Sequence, residues 1–160
     1  MRLVIILALA CVCPGELASQ TQQSDESVID NYIARQARHE RGEEYREARK
    51  VITGDLNKDA VPETVVLYTI ESQGGSNNYI QYLAVFERRK GALTLLTHLD
   101  VGGKTTRSVE LISANEQAIQ LATLDYGPND PSCCPTIKGE TTYTLVGRAL
   151  REHKVRARKA

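Results

Sequence analysis

From residue 64 onward, apolar and polar positions alternate in short segments separated by turn residues. A period of two is that of a strand with one face buried, and the segments are rich in Val, Ile, Leu, Thr and Tyr. The pattern predicts strands over 50–54, 64–71, 79–88, 92–100, 108–113, 117–125, 141–146 and 149–155. Arg89-Lys90-Gly91, Ala114-Asn115-Glu116 and Val146-Gly147-Arg148 suit hairpin turns. Residues 73–78, Gln-Gly-Gly-Ser-Asn-Asn, suit a loop tip, and Gly102-Gly103-Lys104-Thr105 a strand connection. Before the strands the period changes. Ile29, Tyr32, Ile33, Gln36 and Ala37 recur at helical spacing, Ser27-x-x-Asp30 reads as a capping box, and Gly42 as a stop. Residues 43–50 form a further short helical or extended piece. No connection is long enough for a crossover helix, so a parallel sheet is disfavoured. The expected fold class is therefore α+β, a mostly antiparallel β-meander with one N-terminal amphipathic helix covering one face. Tyr82, Ala84 and Phe86 share a face, as do Leu93 and Leu95, Val109 and Leu111, Ile119 and Leu121, and Tyr143 and Leu145, which makes them the expected core.

The ends change the picture. Arg2 precedes an apolar run from Leu3 to Val12, which is broken by Pro14-Gly15 and followed by Leu17-Ala18-Ser19. This is the pattern of a signal peptide over 1–18, too short to span a membrane, with cleavage after Ala18. A cut before Cys11 would instead leave a cysteine able to carry a lipid anchor, the less favoured alternative because so short a leader is unusual. The expected organisation is a linker over 19–26, one α+β domain over 27–147, and a final strand with a basic tail over 148–160. Twenty basic and twenty acidic residues give a formal net charge of zero, which offers no electrostatic pull toward nucleic acid. The chain reads as exported, periplasmic or secreted, without a membrane span, its partner an unidentified protein or envelope component.

Two segments carry candidate chemistry. The first is Gly54-Asp55-Leu56-Asn57-Lys58-Asp59-Ala60-Val61-Pro62-Glu63. Asp55, Asn57, Asp59 and Glu63 stand at positions 1, 3, 5 and 9, with the Val61 carbonyl at position 7, a spacing of oxygens that suits Ca²⁺. The segment resembles the Asp-x-Asn-x-Asp-Gly-x-x-Asp loop of FG-GAP and VCBS-type repeats, with Ala60 where that family has glycine. The resemblance implies a calcium loop ahead of a buried strand. No second such run exists, so a propeller of tandem copies is not expected. The other reading of the same residues is an Asx-rich turn whose side chains bond their own backbone.

The second is Tyr126-Gly127-Pro128-Asn129-Asp130-Pro131-Ser132-Cys133-Cys134-Pro135. After cleavage at Ala18, Cys133 and Cys134 are the only cysteines left, and an exported pair is expected to be oxidised to a vicinal disulfide. Free or intermolecularly bridged thiols, or a metal or redox site, are the alternatives. Asp130, Pro131, Cys133, Cys134 and Pro135 form an Asp-Pro-x-Cys-Cys-Pro loop that resembles that of LppP/LprE-type bacterial envelope lipoproteins. The resemblance implies envelope localisation and no defined chemistry. A rigid loop of this kind can serve as a contact element, with Tyr126, Asn129 and Asp130 as candidate partner-binding residues.

No catalytic residues can be assembled. His39, His98 and His153 are scattered, Ser132 lacks a nucleophile elbow, and no carboxylate pair is identifiable. The expected function is an exported, non-enzymatic binding or structural module with a weak structural calcium loop. A small hydrolase with a calcium-braced site and an inhibitor or partner-binding protein using the Cys-Cys loop are the alternatives. A pocket with paired carboxylates would favour the enzyme, and a protruding Cys-Cys loop beside an exposed apolar patch would favour binding.

Overall fold

A computed structural model describes residues 24–115 and 117–155. The expected signal peptide, Cys11 and residues 156–160 of the basic tail lie outside the described residues. The described residues form helix α1 (Asp25–Glu40) and nine strands: β1 (Glu43–Glu44), β2 (Lys50–Gly54), β3 (Glu63–Glu71), β4 (Tyr79–Arg89), β5 (Ala92–Gly103), β6 (Arg107–Asn115), β7 (Ala118–Asp125), β8 (Ile137–Val146) and β9 (Ala149–Val155). All pairings are antiparallel. The order is β1-β3-β4-β5-β6-β7-β8-β9, with β2 sharing the β1 edge of β3. The α+β meander is thus the fold. Among the described residues, no helix is long and apolar enough to cross a membrane.

The helix begins earlier than its expected cap. Ser24, not Ser27, is the N-cap, and its hydroxyl accepts from Ser27 N at 3.2 Å. Asp25 and Glu26 then occupy the first turn, where the helix dipole favours carboxylates. Arg41, in the left-handed conformation at φ 54°, ends the helix one residue before Gly42. The uncertain piece over 43–50 resolves into β1 and a 3₁₀ turn at Arg46–Ala48. From it Arg49 reaches Asp30 of α1 at 2.5 Å and Glu44 of β1 at 2.6 Å, with only 8% of its side chain exposed. This arginine fastens the helix to the sheet.

The sheet is folded over itself, which the period-two pattern did not reveal. Between β5 and β6 the ladder holds a single pair, Gly103 opposite Arg107. Strand β6 then crosses the first half of the sheet and approaches β2, where a Cβ on Gly54 would lie 2.0 Å from the Ala114 carbonyl oxygen. One core therefore lies between the halves: Val65, Leu67, Leu83 and Val85 meet Val109, Leu111, Ile119, Leu121 and Tyr143. A second lies under the helix, where Ile29, Tyr32 and Ile33 meet Val66, Tyr68, Tyr82 and Phe86. Strands β3 and β4 sit between two apolar layers. That is why Val65 through Ile70 is a continuously buried run rather than an alternating one. Tyr32 packs edge-on against both Tyr68 and Phe86. Burial of side chains of this size stabilises by about 1.5–3 kcal/mol each.

Candidate functional site

Residues 55–62 are the hairpin loop between β2 and β3, since Gly54 pairs with Glu63. Its fixed point is Leu56, 1% exposed, which is drawn into the core between the sheet halves. Around it the polar side chains turn inward. The Asp55 carboxylate accepts from Lys58 N at 2.7 Å and Ala60 N at 3.1 Å. Asn57 Oδ1 accepts from Asp59 N at 2.9 Å, and Asp59 Oδ1 accepts from Val61 N at 2.8 Å. Glu63, 2% exposed, accepts from Leu56 N at 2.8 Å. Asn57 Nδ2 donates to Asp59 Oδ2 at 3.0 Å and to Glu63 Oε1 at 2.9 Å, placing an amide between two carboxylates. Lys58 and Ala60 stand at φ 64° and 65°. Alanine occupies the left-handed position where the calcium repeats have glycine, at a cost of about 1 kcal/mol.

Electrostatically the loop is short of positive charge. Burial raises the Glu63 carboxyl above its ordinary value, opposed by the Leu56 N–H and reinforced by the charges of Asp59 and Asp55. The four side chains named from spacing are thus gathered in one loop, and Val61 is exposed at its rim. Among the described residues, no three His, Cys, Asp or Glu side chains form a group that could hold a metal ion. The oxygens here are engaged by backbone N–H groups and by the Asn57 amide.

Residues 126–136 link β7 to β8. Cys133 and Cys134 are disulfide-bonded to each other, Cα to Cα 3.8 Å, and both are exposed. The loop is braced from within. Asp130 accepts from Gly127 N at 2.7 Å and from Thr136 N at 2.8 Å, and Thr136 Oγ1 lies 3.0 Å from each of its oxygens. These donors hold its carboxyl below the usual aspartate range, the Gly127 N–H foremost. Tyr126 donates its hydroxyl to Ser132 O at 2.8 Å. Of the three candidate contact residues, Asp130 and Tyr126 spend their polar atoms on the loop itself, and Asn129 is exposed.

A third feature escaped the linear reading. Where β5 turns into β6, a cleft of about 610 Å³ opens. Helix α1 supplies Glu40, β5 supplies Asp100, β6 supplies Arg107, β7 supplies Asp125 and β9 supplies Glu152. The Arg107 guanidinium is held by Val101 O at 2.7 Å, Glu152 at 2.7 Å and the Tyr143 hydroxyl at 2.9 Å. These residues come from five elements, so no motif announces them. The signal available was weak: an arginine and three acids on strands that otherwise alternate with apolar residues.

No protein-family profile, curated protein or solved structure matches the chain.

Proposed function

We propose that the chain is an exported, non-enzymatic binding module that presents the Cys133–Cys134 loop as its contact element. The loop Asp55–Glu63 serves it as a structural brace that takes Ca²⁺ weakly. The observation that carries this reading is the internal bracing of the cysteine loop. Asp130 satisfies Gly127 and Thr136 from inside, so the exposed tip bearing Asn129, Cys133 and Cys134 is held in one shape without help from a neighbour. A contact element ordered before binding loses less entropy on association.

For the calcium brace, support comes from the donor set. Asp55, Asn57, Asp59 and Glu63, with the Val61 carbonyl, are all hard oxygen donors, and Ca²⁺ takes six to eight of these. The Asn57 amide between Asp59 and Glu63 would have to turn its oxygen inward for the ion to enter. That step, with the left-handed Ala60, argues for affinity at the weak extracellular end.

The test is capture from envelope extract on the immobilised protein, comparing the parent with Asn129→Ala and with a Cys133→Ser, Cys134→Ser double variant. A protein or glycan retained by the parent and lost from both variants, with unchanged circular dichroism, is the expected result. Equal capture by all three would move the contact element elsewhere.

A further inference from the structure

The Cys133–Cys134 bond sits where a structural cross-link contributes least. Both residues are exposed, and neither belongs to the core between the sheet halves or to the core under the helix. The bond joins neighbours in sequence, so its sulfurs stay close whether the chain is folded or unfolded. A cross-link of that kind removes little entropy from the unfolded chain. Nor does the loop depend on it for shape. Asp130 ties Gly127 to Thr136, the Tyr126 hydroxyl donates to Ser132 O, and Cys134 N donates to Pro131 O at 2.9 Å, closing a turn over 131–134. None of these hydrogen bonds uses a sulfur.

Thiol–disulfide exchange needs a thiolate to reach one sulfur while the other leaves, and access to the sulfurs governs its rate. At this exposed tip the approach is open. A structural disulfide resists reduction because bond and fold stabilise one another. Here that coupling is small, so the fold neither shields the bond nor holds it closed. The hydrogen bonds that brace the loop survive reduction and keep the two thiols side by side for reclosure.

We infer that Cys133 and Cys134 form a reversible two-electron thiol–disulfide exchange site whose substrate is a dithiol. One substrate thiolate attacks the sulfur of either cysteine. The Cys133–Cys134 bond breaks, a mixed disulfide forms, and the other cysteine leaves as a thiolate and takes up a proton. The second substrate thiol, deprotonated, attacks the substrate sulfur of the mixed disulfide and releases the remaining cysteine, which is protonated in turn. The substrate ends as a disulfide, and the loop has gained two electrons and two protons. The site shares its loop with the contact element but is read on the isolated chain, so either reading can fail alone.

Dithiothreitol redox buffers under argon test this on the full oxidised chain, with acid quenching, alkylation and peptide mapping. In the folded chain, without denaturant, the bond is expected to open fully in excess dithiothreitol and to close again in excess oxidised dithiothreitol. Rate and equilibrium constant should each lie within about tenfold of those of the same chain in urea, since so small a ring is worth only about tenfold in loop entropy. One equivalent of oxidised dithiothreitol should form for each loop opened. The Cys133→Ser, Cys134→Ser double variant should lose that equivalent, and circular dichroism should stay constant throughout. A bond that opens more than about tenfold more slowly, or less completely, in the folded chain than in urea is a structural cross-link and overturns the inference. Reoxidation to a disulfide-linked dimer in place of the ring would overturn it as well.

Discussion

The side-chain amide of Gln81 faces the main chain of Val109 and exchanges two hydrogen bonds with it, Nε2 donating to Val109 O at 3.0 Å and Oε1 accepting from Val109 N at 2.9 Å. A glutamine on β4 thus replaces the strand that β6 loses when it leaves β5 after one pair. The neighbouring Gly102 makes room, because a Cβ there would lie 2.9 Å from Gln81 Oε1. Two buried polar groups at the fold-over are satisfied by one side chain.

Gln81→Leu should therefore leave the Val109 N–H and carbonyl unpaired. Equilibrium urea denaturation should show a loss of about 2–6 kcal/mol at an unchanged m value, given about 1–3 kcal/mol for each of the two buried groups left unsatisfied. A loss under about 1 kcal/mol would mean that water replaces the amide.

Ala60→Gly should stabilise the chain. The position is left-handed at φ 65°, which glycine adopts freely, and relief of about 1 kcal/mol should raise the melting temperature by roughly 3–5 °C. Thermal denaturation in chelator isolates this effect from any metal.

Calcium should add a further increment by mass action. With a dissociation constant of about 10⁻⁴ to 10⁻³ M, ~10 mM Ca²⁺ should stabilise the chain by about 1.4–2.7 kcal/mol. Ala60→Gly should enlarge that increment, and Asp59→Ala should abolish it while leaving the far-ultraviolet spectrum unchanged. A melting temperature indifferent to Ca²⁺ in both parent and Ala60→Gly leaves the loop as an Asx turn.

Acid should loosen the cysteine loop before the sheet. The Asp130 carboxyl is lowered by the Gly127 and Thr136 donors, so the folded loop prefers the ionised form. Its contribution is complete above the ordinary value near 3.8 and fades as pH falls through the lower folded value. Glu63 has the opposite sign: its raised carboxyl favours the neutral form, so its share is complete below 4.5 and is lost as pH rises through the folded value. Protection of the Gly127 and Thr136 amides against exchange, taken relative to the intrinsic rate at each pH and followed by NMR from pH 5 downward, should fall ahead of that of core amides. In Asp130→Ala it should be low at every pH.

Reduction should release the Cys133–Cys134 bond without unfolding the chain. The bond joins neighbours in sequence and closes almost no chain, so it takes little entropy from the unfolded state. Non-reducing peptide mapping should yield one peptide two hydrogens lighter than its reduced form, and the melting temperature should change little on reduction. A disulfide-linked dimer on a non-reducing gel would contradict the intramolecular pairing.

The residue pattern alone determined the helix and the strands, because periods of 3.6 and 2 are local properties that a single segment must satisfy to bury one face. It also determined the curl of 55–63, since Asp and Asn bond backbone two to five residues away. It placed the helix cap three residues late, because Ser24 and Ser27 offer the same hydroxyl and only the packed helix chooses between them. What tertiary structure decided is everything joining distant residues. The fold-over at Gly103 and Arg107, the clamp of Gln81 on Val109, and the gathering of Glu40, Asp100 and Asp125 around one cleft all follow from which face of β6 meets β4. Backbone alternation states that two faces differ, but the partner of each face is set by side-chain volumes and bonds summed over the whole chain.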